Sequence, residues 1–183
     1  RGATESARLN AIMVLIKLGV LVLFIIIGIT AFNADHFGNF FGSGLGGITA
    51  AAGTIFFSFI GLDAVATAGE EVKDPQRALP RAIIGALIIV TTVYILVAFA
   101  GLAAKHPDWF SGPEAQSAGL SQILNDVTGS TIWGTILAAG AVISIFSVTL
   151  VSLYGQTRIL FAIGRDGLIP RRFSVVNPKS MSP

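Results

Sequence analysis

The chain has 183 residues, 53% hydrophobic and only 12% charged, with a formal net charge of +2 and a mean hydropathy of +0.78. Soluble domains are about 25% charged, so the composition is that of a membrane protein, and the slight positive excess gives no reason to expect a nucleic-acid partner. Cysteine is absent, which excludes disulfides, cysteine-ligated metal and thiol catalysis.

The pattern of apolar runs predicts an all-α polytopic protein with one membrane region over 1–183. A basic segment, Arg1 to Arg8, leads into a first span at about 9–32, interrupted by one charge, Lys17. Asn33 to Gly47 is a loop without Lys or Arg, and the second span covers about 48–69. The charged loop EEVKDPQRALPR follows, where Pro75 and Pro80 argue against continuous helix. The third span, about 82–104, carries no charge, and Lys105 to Thr131 reads as a longer loop holding Asp108, Trp109, Glu114 and Asp126. The fourth, about 132–162, overruns the ~20 residues a bilayer needs, so Arg158 should emerge among the headgroups. His36 and His106 lie in loops far apart in sequence, and no histidine metal pair is expected. The start at Arg1 and the loop-like tail NPKSMSP are expected of a piece of a longer chain.

Basic residues cluster at the N-terminus, between the second and third spans, and in the tail. The positive-inside rule then puts both ends and the 70–81 loop in the cytoplasm, with Trp109 and Trp133 on the outer side.

The second span, ITAAAGTIFFSFIGLDAVATAGEE from Ile48 to Glu71, holds Gly61 and Asp63 in its interior. A carboxylate in hydrocarbon is costly and marks a functional site by default. The surrounding SFIGLD run is poor helix, because aromatic and β-branched residues lose rotamer freedom and Gly61 loses backbone entropy. A helix broken there frees N–H groups for an anionic substrate group and carbonyls for an ammonium. Phe56, Phe57 and Phe59 line such a site or pack against lipid. Counting helical rise, Lys17 lies ~12 Å and Asp63 ~10 Å in from the same side. The bland alternatives are that Lys17 snorkels and that Asp63 caps a half-helix.

On the fourth span, Gly140, Ser144, Ser147 and Val151 form a small, weakly polar stripe. It serves close helix packing or offers a hydroxyl to an ion or to Lys17. GSGLGG at Gly42 to Gly47 matches a dinucleotide fingerprint in the wrong context, since a membrane span follows it. No nucleophile triad, Walker lysine or carboxylate pair is present at a plausible catalytic site, so no enzyme is expected.

FFSFIGLDAVATAGEEVKDPQRALPRAI strongly resembles the sixth helix and following loop of the amino acid–polyamine–organocation permeases. ESARLNAIMVLIKLGVLVLFIIIG resembles the fifth helix of the cationic amino acid transporter branch, and LYGQTRILFAIGRDGLIPRRFSVVNP its eighth helix and exit loop. The resemblance implies helices five to eight of a twelve-helix permease with a leucine-transporter-type inverted-repeat fold. It implies a secondary amino acid transporter of the plasma (inner) membrane, proton-coupled, whose partners are the substrate, the bilayer and the rest of the permease chain. No cofactor is implied beyond the proton as coupling ion.

By the same resemblance Ser58, Phe59, Ile60 and Gly61 bind the substrate ammonium through unwound backbone. Phe57 stands at a gating aromatic, and Asp63 at an acidic position past the break. Lys17 stands where sodium binds in sodium-coupled folds of this type, with Ser144 or Ser147 as its neighbour. Desolvation disfavours a charged ammonium, so such a lysine can exchange a proton as a cavity opens and closes. The rivals are an uncoupled amino acid or polyamine facilitator or exchanger and, in another class, a non-transporting membrane scaffold.

Overall fold

The computed structural model describes residues 2–38, 42, 44–59 and 74–170. Among them every regular element is helical: α1 (Gly2–Thr30), α2 (Gly44–Phe56), α3 (Pro75–Ala104), α4 (Pro113–Thr128) and α5 (Thr131–Arg165). Short 3-10 turns cover Ala34–Phe37, Phe57–Phe59 and Pro107–Ser111. In hydrocarbon a backbone must satisfy its own hydrogen bonds, so apolar runs rich in β-branched residues still fold as helix.

Helices α1, α3 and α5 have 29, 30 and 35 residues, or about 44, 45 and 52 Å at 1.5 Å per residue. Each is long and apolar enough to cross a bilayer, whose hydrocarbon core is about 30 Å thick. Helix α2 has 13 residues, about 20 Å, and falls short by itself. It stops where the aromatic FFSF run begins, and the chain tightens to 3-10 at Phe57–Phe59. The remainder of the expected second span, with Ile60, Gly61 and Asp63, lies outside the described residues.

Two sequence expectations need correction. The Pro75–Arg81 stretch is continuous helix, not loop. Pro75 occupies the first helical position, where no N–H is needed. Asp74, at φ 55°, supplies the carbonyl that accepts from the Arg77 and Ala78 N–H groups. Pro80 costs one bond, to the Gln76 carbonyl, on an exposed turn. Secondly, the expected long loop at 105–131 is mostly ordered: a 3-10 turn, then α4 starting at Pro113. Helix α4 bends at Gly119 (φ 24°) and ends on Gly129 in the left-handed region (φ 65°).

The chain divides into two compact units, Arg1–Leu15 with Ile60–Gly85 and Ser144–Pro183, and Ile16–Phe59 with Ala86–Ile143. The second holds a small core in which Phe24 and Ile25 of α1 meet Ala100 of α3, Ile123 and Leu124 of α4, and Leu137 of α5. Glycines let the backbones approach. A Cβ built on Gly28 would sit 3.0 Å from the Cβ and carbonyl oxygen of Ala100, and one on Gly140 would sit 2.8 Å from Val20 Cγ2. Around this core the helices expose large apolar side chains, among them Ile26, Ile88, Ile95 and Val142. Such surface suits lipid or further helices, not water.

In the first unit, α5 closes with a Schellman motif. The Leu168 N–H donates to Ile163 O, the Gly167 N–H to Gly164 O, and Gly167 takes φ 80°. Arg165 in that last turn complements the helix dipole.

Candidate functional site

Phe57, Ser58 and Phe59 form the 3-10 turn that terminates α2. The Phe57 ring is exposed and meets Phe56 edge-on at 6.1 Å. Phe59 is half-buried and turns the other way, meeting the Tyr94 ring of α3 edge-to-face at 5.9 Å. Ile55, Phe59, Thr91, Tyr94, Ile95 and their neighbours line an open apolar groove of about 530 Å³. The turn is therefore held to α3 through one aromatic while the adjacent aromatic stays unpacked. Tyr94 escaped the sequence reading; with Thr91 and Thr92 it is one of the few polar residues in the membrane stretch of α3.

Lys17 sits half-buried in α1, and among the described residues no hydrogen bond or ion pair holds it. Ser144 is half-buried on α5, and Ser147 is nearly inaccessible at 2% exposure. The Ser147 hydroxyl donates to Asn10 Oδ1 on α1 at 2.6 Å. Lys17 belongs to the second unit and both serines to the first, so their pairing with Lys17 stays a proposal. Asn10 escaped the sequence reading. Its signal was periodicity, because Asn10 and Lys17 are seven positions apart in sequence and share a helix face.

Arg158 is half-buried, and its Nε atom is closed off by protein. It lies eleven positions after Ser147, three helical turns on, and so on the same inward stripe. The stripe is thus small at Gly140, polar at Ser147 and cationic at Arg158.

The histidines, remote in sequence, come together in space. The His36 and His106 ring centroids are 5.9 Å apart at 86°. Among the described residues no group of three or more His, Cys, Asp or Glu is placed to hold a metal.

Long apolar helices, lipid-suited surfaces and polar groups tucked between helices define an integral membrane protein. More narrowly, the chain belongs to the amino acid permease family, whose sequence model matches residues 1–183. The branched-chain amino acid permease BcaP of Bacillus subtilis is 39% identical over 186 residues, covering 100% of the chain and 38% of that protein. The methylthioribose transporter of Bacillus subtilis is 37% identical, with 100% and 39% coverage. The vacuolar cationic amino acid transporter 4 of Arabidopsis thaliana is 35% identical, with 100% and 30% coverage. The chain thus spans about two fifths or less of these relatives' length. The family is one of transporters, not enzymes.

Proposed function

We propose that the chain is the helix-five-to-eight portion of a proton-coupled amino acid permease working by alternating access in the plasma (inner) membrane. The observation that carries this reading is the end of α2 in a 3-10 turn at Phe57–Phe59, within a chain matched end to end by the amino acid permease family. Backbone groups released at such an end, with no bilayer water to satisfy them, are available to a polar substrate. In this reading Ser58, Phe59, Ile60 and Gly61 receive the substrate ammonium, Phe57 gates it, and Asp63 supports the cationic end. Lys17 carries the coupling proton, with Ser144 and Ser147 as hydroxyl partners. The first span would end one inverted repeat and the other three begin the next, with both ends of the chain cytoplasmic.

The names of the relatives support the substrate class: two are amino acid permeases or transporters and one carries methylthioribose. A facilitator or exchanger of amino acids or polyamines is the second reading, and a non-transporting scaffold the third. The test is uptake of a radiolabelled panel (branched-chain and cationic amino acids, a polyamine and methylthioribose) by the complete polypeptide in proteoliposomes, with and without an inward proton gradient. Gradient-stimulated uptake of an amino acid supports the proposal. Uptake indifferent to the gradient leaves the facilitator, and no uptake of any of them leaves the scaffold.

A further inference from the structure

Outside the proposed transport site, the first turns of α3 carry two arginines on one exposed face. Arg77 and Arg81 are four positions apart, so they are neighbours on the helix surface, and both are exposed. Ile84, three positions on and 57% exposed, continues that face. All three belong to the first unit. Like charges at this spacing repel, and among the described residues no hydrogen bond or ion pair of either guanidinium offsets the repulsion. Asp74, the described carboxylate nearest in sequence, pairs with neither; it serves the helix start through its backbone carbonyl. The pair therefore calls for an anion from outside the described protein.

Position along the helix says which anion. Arg81 directly precedes the uncharged run from Ala82 to Ala104, which covers about 34 Å at helical rise. That run already fills the hydrocarbon core of about 30 Å. Arg81 thus stands at the edge of the core, and Arg77 about 6 Å further out. The polar layer on each side of a bilayer is about 5–7 Å deep, so both guanidinium groups lie at the level of lipid phosphates. On the orientation proposed above this is the cytoplasmic leaflet, the one that carries anionic lipids.

The geometry points to a site for the headgroup of an anionic phospholipid, such as phosphatidylglycerol, at Arg77 and Arg81, with Ile84 against the upper part of an acyl chain. A guanidinium offers a planar fork of N–H donors that matches phosphate oxygens bidentately. A zwitterionic lipid brings its own cation to the same place and gains less. The exposed Ile84 beside Arg81 gives an amphiphile a second contact that a free anion cannot use. Neither arginine belongs to the proposed transport machinery, so the site goes beyond that reading and does not depend on it.

The experiment uses the complete polypeptide in neutral detergent micelles, with fluorescence polarisation of a tail-labelled phosphatidylglycerol as the binding signal. Unlabelled phosphatidylglycerol, phosphatidylcholine and sodium phosphate are the competitors. Phosphatidylglycerol is expected to displace the probe at least about tenfold better than phosphatidylcholine. Arg77→Gln and Arg81→Gln should each lower its affinity about fivefold, and the double variant should lose most of the preference. Salt at about 1 M, where the screening length falls to about 3 Å, should narrow the same gap in the wild type. Both arginines are exposed, so each single variant keeps its helical circular dichroism and decides the matter even if the double variant unfolds. Equal displacement by the two lipids, or a phosphatidylglycerol preference that the single variants leave unchanged, overturns the proposal. Displacement by sodium phosphate at the concentration at which the lipid displaces marks a site for free anions and overturns it too.

Discussion

The Ser147 hydroxyl donates to Asn10 Oδ1 at 2.6 Å, joining the last long helix to the first through a side chain that is 98% inaccessible. In the membrane such bonds are worth about 0.6 kcal/mol on average, and no more than about 1.7. A double-mutant cycle of Asn10→Ala and Ser147→Ala, read by unfolding in mixed micelles, should return a coupling energy in that range. A coupling indistinguishable from zero would reduce the contact to coincidental packing.

The glycines of α1 are expected to divide sharply. A Cβ on Gly28 would sit 3.0 Å from the Cβ and carbonyl oxygen of Ala100, closer than ordinary contact, while nothing lies within 4 Å of one on Gly19. Gly28→Leu should destabilise by about 1–3 kcal/mol through overpacking. Gly19→Ala should be neutral or stabilising by up to about 1 kcal/mol, from helix propensity. Thermal unfolding of the two variants in the same detergent checks both.

Helix α4 is held by apolar anchors more than by its ion pair. Lys105 Nζ reaches Asp126 Oδ2 at 2.7 Å, but both side chains are about a quarter to a third exposed, where such a pair contributes about 0.2–1 kcal/mol. Ile123 is fully buried in the core, and truncating such a residue costs about 2–5 kcal/mol. Ile123→Ala should therefore release α4 to proteolysis well before Asp126→Asn does, and added salt should weaken only the effect of Asp126→Asn. Equal sensitivity of the two variants to protease would contradict this ranking.

The three long helices were legible because run length is a one-dimensional property, and Leu9 to Phe32 or Ala82 to Ala104 cannot fold any other way in lipid. Pro75 and Pro80 misled because proline breaks helix interiors, whereas Pro75 begins one and Pro80 sits close enough to that beginning to lose a single exposed bond. Helix α4 was hidden by its composition. It is polar and interrupted at Gly119, and its apolar stripe, Leu120, Ile123, Leu124 and Val127, spans only two turns. Contacts such as Ser147 with Asn10, or His36 with His106, depend on how helices are registered against each other. No spacing along the chain encodes that. Of the residues proposed to bind substrate, Phe57, Ser58 and Phe59 fall in the described turn, and Ile60, Gly61 and Asp63 outside the described residues.

The side groove gives a separate expectation for substrate access. Phe59 and Tyr94 meet edge-to-face at 5.9 Å, an arrangement worth about 0.5–1.5 kcal/mol beyond area burial. Tyr94→Ala should loosen the turn that ends α2 and raise the substrate KM of the complete transporter severalfold, whereas Tyr94→Phe should stay near wild type. A KM unmoved by Tyr94→Ala would separate the turn's geometry from substrate binding.

The most direct measurement is proton-gradient-driven amino acid uptake by the complete polypeptide in proteoliposomes, wild type against Lys17→Ala, at matched protein incorporation. Lys17 is the one charge within the first span and sits half-buried there. The expected result is that the variant loses gradient stimulation while still binding substrate. Gradient-stimulated uptake undiminished in Lys17→Ala would contradict the coupling role and leave the lysine a structural charge.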